Sequence, residues 1–183
     1  RVDRRQRQDV YKRQSLTCPM LVVGIDPGTA TTGYGFVRET VEGGLEAVEY
    51  GIIQTPAGLS QEKRLSLLFE ALNDKLLFHR PASAAVEKLF FQRNVSTAIA
   101  VGQARGVVLL ALAQAGLEVS EYSPLEVKQA VAGYGGADKN QVQQMVRALL
   151  NLPEIPRPDD AADALAVAIC HIHSSRIERL NRV

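Results

Sequence analysis

Cysteine is scarce. Cys18 and Cys170 are the two in 183 residues, too few for a disulfide framework. A soluble, reducing, cytoplasmic setting is therefore expected. Long apolar runs are missing as well. The longest, Val107 to Ala113, falls far short of the roughly 20 residues that span a bilayer, so no membrane partner is expected. The N-terminus lacks a secretory pattern, since it is charged and no apolar stretch comes before Met20. There is no internal repeat and no low-complexity tract. A histidine–cysteine metal group is not suggested either. Cys170, His171 and His173 lie past the start of a helix and read as packing or surface residues.

Excess charge of one sign is also lacking once the chain is divided. Residues 1–19 hold six of the 21 basic and two of the 20 acidic residues, leaving a formal charge of −3 from Met20 onward. Bulk charge thus does not point to nucleic acid, and any DNA contact must come from a local basic patch. Residues 1–19 read as a non-native or disordered leader, with Met20 as the native start. The competing reading is a basic arm that binds nucleic acid. Residues 20–175 are expected to form one domain, followed by a tail at 176–183.

What is present is a 46% hydrophobic chain, enough for one core. Leu21–Ile25, Tyr34–Arg38 and Leu45–Gln54 read as a three-strand meander separated by turn residues. From Ser60 to Phe78, Leu65, Leu68, Phe69, Leu72 and Leu76 recur at helical spacing, and Pro81 ends the helix. Ala84–Glu87 is a short buried strand, Val95–Ala115 a long helix stopped by Gly116, and Leu117–Tyr122 a fifth strand. Ser123-Pro-Leu-Glu126 is a capping box with proline at the first helical position. Gly133-Tyr-Gly-Gly136 breaks that helix, and another runs from about Lys139 to Leu150. After the proline-rich loop 153–158, a last helix starts near Asp159 or Asp160. This order predicts an α/β fold, a mixed five-stranded sheet flanked by helices, as in ribonuclease-H-like proteins.

Four carboxylates stand out. Asp26 ends the first strand just before Pro27-Gly28, a position that also suits a plain turn carboxylate. Glu87 ends a strand apolar enough to be central, where the sheet opens a crevice. Asp160 and Asp163 lie about 60° apart around a helix. Asp159 and Asp163 share a face too, so geometry does not choose between Asp159 and Asp160, and helix capping explains either one. Converging carboxylates repel and raise one another's pKa. A divalent cation relieves this, and hard oxygen ligands favour Mg²⁺ or Mn²⁺. Two such ions about 4 Å apart are suited to phosphodiester hydrolysis.

These residues belong to a longer pattern. Gly24-Ile-Asp-Pro-Gly28 with Thr32-Gly33-Tyr-Gly35 resembles the opening of the RuvC family of Holliday-junction resolvases. Val86-Glu87-Lys-Leu-Phe90 and Gly102-Gln-Ala-Arg-Gly106 resemble its second block, and Ser123-Pro-Leu-Glu-Val-Lys-Gln129 its third. Asp160-Ala-Ala-Asp-Ala-Leu-Ala166 with Ala168-Ile-Cys-His171 resembles the fourth. The ordered set covers Met20 to His173 and is far more specific than any one motif.

The resemblance implies a dimeric, ribonuclease-H-like endonuclease that cuts four-way DNA junctions symmetrically with Mg²⁺ or Mn²⁺, two ions per site. It implies 5′-phosphate and 3′-hydroxyl ends, a role in recombinational repair, and RuvA and RuvB as partners. It implies Asp26, Glu87, Asp160 and Asp163 as metal ligands, and so selects Asp160 over Asp159. Lys128 and Lys139 match family lysines near the scissile phosphate. Phe90 matches a junction-stacking residue, while Phe91 is a second contact or a core anchor. Arg93 and Asn94 are candidate backbone contacts. The loop Gly133–Gly136 is either a flap over DNA or a connector. The small residues Ala98, Ala100, Gly102, Ala104 and Gly106 suggest a close helix contact, at the two-fold interface or against the chain's own sheet. Three alternatives carry different chemistry: an actin-like or sugar-kinase ATPase, which shares a similar first turn but normally has two such domains, a non-catalytic junction-binding module, and a relative of the same fold that acts on RNA.

Overall fold

The computed structural model describes residues 20–88 and 95–181, with side chains described from 98 onward in the second segment. Phe90, Phe91, Arg93 and Asn94 lie outside the described residues.

Five strands form one sheet in the order β3-β2-β1-β4-β5. They are β1 (Leu21–Asp26), β2 (Thr31–Glu39), β3 (Leu45–Gln54), β4 (Ser83–Glu87) and β5 (Val119–Tyr122). β1 runs antiparallel to β2 and parallel to β4, and β4 runs parallel to β5. The sheet is therefore mixed, with β1 at its centre. The helices are α1 (Gln61–His79), α2 (Val95–Gln114), α3 (Pro124–Ala132), α4 (Lys139–Leu149) and α5 (Asp159–Asn181).

Each face of the sheet has its own core. Val23, Ile25, Ala84 and Val86 pack with Leu68, Leu72 and Leu76 of α1 and Ala104, Val108 and Leu112 of α2. Val22 and Ala85 pack with Val127 and Val131 of α3, Val142 and Val146 of α4, and Leu165 and Ile169 of α5. The alternation has a direct consequence. Strand side chains change face at each residue. Asp26 thus shares a face with Val22, and Glu87 with Ala85, so both turn toward α5.

Two glycines set how near α5 can come. A Cβ built on Gly24 would lie 2.2 Å from the Ala164 carbonyl oxygen, and one on Gly33 would lie 1.9 Å from that of Asp160. Only hydrogen fits there. Ala161, Ala162, Ala164, Ala166 and Ala168 are all buried, so the helix carries small side chains where it meets the strands.

The capping box at Ser123 forms as the sequence predicts. A second one, Asp138 with Gln141, opens α4. β5 starts two residues later than its apolar pattern suggests. Gly116 takes a left-handed φ of 72°, and Leu117 donates its N–H to Leu112 O (3.1 Å). That closes α2, so Leu117 serves the helix end rather than the sheet. β2 starts earlier than expected because Thr31–Gly33 pair with Gln54–Ile52. Segment 133–136 begins with Gly133, the left-handed cap of α3. The last helix does not stop at 175. It runs to Asn181, and Arg176 and Arg179 grip Glu39 (2.6 and 3.0 Å).

Candidate active site

Asp26 ends β1 and Glu87 ends β4, neighbouring parallel strands whose last paired residues are Ile25 and Val86. The two carboxyl groups are close enough to share a hydrogen bond. Asp160 and Asp163 reach the same end of the sheet on the first turns of α5. All four meet electrostatically. Burial, then the charges of Glu87, Asp163 and Asp160, push Asp26 up to about 8. Glu87 is raised by burial and Asp163, against the hydrogen bond from Asp26 and the nearby Lys139. Asp163 is raised by burial, with Lys139 opposing.

Lys139 is the first residue of α4. Its ammonium sits 3.1 Å from Asp163 Oδ2 and 3.3 Å from Asp159 Oδ2. Burial alone would lower its pKa, but these two carboxylates outweigh that and raise it. Asp159, left by sequence as a candidate helix cap, is the first residue within α5, and Lys139 holds its pKa down. Lys128 follows buried Val127 on α3. A cleft of about 180 Å³ joins Glu87, Lys128, Lys139 and Asp163 with Val127 and Val142.

The donor set is made of hard carboxylate oxygens, the kind that Mg²⁺ and Mn²⁺ take. A carboxyl forced up to about 8 is short of positive charge, and Lys139 already supplies some to Asp163. Among the described residues no three His, Cys, Asp or Glu side chains stand as they are in an arrangement that would hold an ion. The Asp26–Glu87 hydrogen bond and the Lys139–Asp163 pair are the contacts a divalent ion would have to replace.

Other residues brace the site and were not picked out in the sequence as candidates. Arg105 donates to Glu87 O (2.8 Å) and pairs with Glu121, so it fixes the end of β4. It is a lone charge in an otherwise apolar helix, a signal open to sequence reading. His171 hydrogen-bonds Ser83 Oγ and Tyr122 OH (both 2.9 Å), and Cys170 is a buried thiol. Both are packing residues, as the sequence suggests.

A mixed sheet with acidic groups at the end of its two central parallel strands is the arrangement of a ribonuclease-H-like fold. The family described as "Crossover junction endodeoxyribonuclease RuvC" matches residues 22–171, and the chain belongs to that family. A relative of that name from Roseiflexus sp. (strain RS-1) is 60% identical over 157 residues, 86% of this chain and 93% of the relative. Another, from Desulfitobacterium hafniense, is 58% identical over 164 residues, 90% and 98% of the two chains. The solved Thermus thermophilus RuvC superposes with a TM-score of 0.81 at 38% identity, covering 87% of this chain and 97% of that one. T. thermophilus RuvC in complex with Holliday junction substrate gives 0.80 at 36% identity, covering 86% and 96%. The yeast mitochondrial Holliday junction resolvase, at 15% identity and a TM-score of 0.63, shares the fold. The enzyme class is crossover junction endodeoxyribonuclease. Among the described residues no helix is long and apolar enough to cross a membrane.

Proposed function

We propose that this chain binds four-way DNA junctions and cuts two strands of like polarity by metal-dependent phosphodiester hydrolysis. The convergence of Asp26, Glu87, Asp160 and Asp163 beside two lysines carries this reading. These four would hold Mg²⁺ or Mn²⁺, two ions per site, replacing the proton shared near Asp26 and the ammonium of Lys139. When bound, the ions would activate water and neutralise charge at the phosphodiester. Lys128 and Lys139 stand on the cleft wall, where an ammonium can face a phosphate oxygen as its charge grows. Hydrolysis leaves 5′-phosphate and 3′-hydroxyl ends.

Paired cuts need paired sites, and a two-fold homodimer supplies them. Its support is on α2. Ile99 and Leu110 are 59% and 51% exposed, and Gly102 and Gly106 face open space. These four form one outward stripe, while Ala104 packs on the chain's own sheet. Light scattering of the purified protein tests the dimer. Residues 20–175, with α5 continuing to Asn181, act as the nuclease domain, in the cytoplasm, with RuvA and RuvB as branch-migration partners. Phe90, Phe91, Arg93 and Asn94 remain proposed DNA contacts.

The decisive experiment compares a synthetic four-way junction, a linear duplex and an RNA–DNA hybrid, each with Mg²⁺ or Mn²⁺. Paired nicks in the junction alone are expected. Equal cutting of the duplex, or preference for the hybrid, would refute junction specificity.

A further inference from the structure

A second cleft opens on the other side of the carboxylates. It holds about 600 Å³ between the β1–β2 turn and the start of α2, with Gly28, Thr29, Ala30, Arg64 and Asp160 on its walls. Asp160 links it to the proposed metal site. Arg64 is the cation here. Its Nε donates to Thr55 Oγ1 (2.9 Å) and one terminal nitrogen to Thr29 O (3.0 Å). A guanidinium has five N–H donors, so these bonds leave others over. Among the described residues no carboxylate pairs with it. The Thr29 hydroxyl, shielded from solvent, has no protein partner either. A half-buried cation with donors to spare thus lines an opening next to the carboxylates. Fork-shaped donors of this kind suit phosphate.

We propose that Arg64, positioned by Thr55 and the Thr29 carbonyl, forms a subsite for a backbone phosphate flanking the cut, so that the strand is held on both sides of the carboxylates. This rests on the junction-nuclease reading. The Arg64–Thr55–Thr29 bonds also clamp the turn that follows Asp26. Thr55 Oγ1 donates to Thr29 O (2.7 Å) as well. The test must therefore separate charge from clamping.

Binding to a four-way junction is measured by anisotropy in EDTA from 50 to 200 mM salt. Arg64→Gln keeps a donor for the turn but removes the charge. It should weaken binding about tenfold and flatten the log–log salt dependence by roughly 0.9, one phosphate contact. Arg64→Lys should keep the wild-type slope. Thr55→Val removes part of the clamp and keeps the charge; it should lower Tm and leave the slope alone. A wild-type slope in Arg64→Gln, or equal flattening in Thr55→Val, overturns the proposal. A junction with one neutral methylphosphonate beside the cut reads the same contact from the DNA side. It should bind wild type about tenfold more weakly and Arg64→Gln no more weakly than an ordinary junction does. Equal loss in both proteins overturns it. Wild type that prefers duplex to junction would instead refute the parent reading, because the salt slope is measurable on either DNA.

Discussion

Two half-buried acidic sites lie on this fold, and they behave in opposite ways. Glu49 on β3 accepts from Tyr34 OH (2.9 Å) and Lys75 Nζ (2.6 Å) and meets His79. Burial raises its pKa, but these partners outweigh that and bring it to about 2. Asp26 also loses water, yet its neighbours are carboxylates, and it rises to about 8. The first site is complete without help from outside the chain. The second has its charge problem left open, and that opening is where a divalent ion and a phosphate can enter. Perturbed carboxylates are thus informative only together with their partners: those of Glu49 balance its charge, and those of Asp26 add to it.

Substitutions at each site sharpen this contrast. Asp26→Asn should lower junction cleavage on the order of a thousandfold or more. Its metal-free stability should move the other way. A folded-state pKa above the unfolded value of 3.8 means stability is lost as pH rises from 3.8 to about 8. Removing the group abolishes that loss, so the Tm gain of the variant should grow across this window. A lower Tm at pH 8 would undo the contrast.

Gly33→Ala attacks the placement of the acidic cluster rather than its charge. The new Cβ meets the Asp160 carbonyl at 1.9 Å, and backbone cannot rotate away. A stability loss of about 2–4 kcal/mol in urea unfolding is expected, with weakened cleavage. Lys139→Ala should slow cleavage roughly 10- to 100-fold in single-turnover assays. Because its ammonium offsets Asp163, binding of junction should fall less than the rate does. A pure affinity loss would place Lys139 outside the chemistry. The smallest effect is expected at Glu49→Gln. The wild-type stability linked to Glu49 is complete above pH 4.5 and disappears as pH falls toward 2. The variant should show a flatter acid limb in that range by circular dichroism. An unchanged limb would mean that Glu49 is not the compensated site described above.

Much of this was legible in the order of residues. Apolar spacing marks α1, the Ser123 box marks the start of α3, and Asp26 and Glu87 read as strand ends before the register is known. The ordered motifs then link them to Asp160 and Asp163. The Glu49 network was not legible, since it joins residues up to 30 apart in sequence that β-pairing and α1 bring together. Arg64 was hidden for the same reason: a charged residue on an amphipathic helix reads as a solvated face until the turn at Thr29 folds over it. The alanines of α5 allow a close approach to a sheet, but that Gly24 and Gly33 receive it was not legible, because a glycine in a strand does not reveal what lies above it.

That contact has a consequence for tolerance to change. Where α5 meets β1 and β2, main chain rests on main chain, with no rotamer between them to give way. The gap therefore behaves as a mechanical stop, and repacking the cores on either side of the sheet cannot widen or narrow it. The positions of Asp160 and Asp163 relative to Asp26 are held by the least adjustable material in the protein. The same chemistry could drift through many hydrophobic substitutions while its geometry stayed in tune.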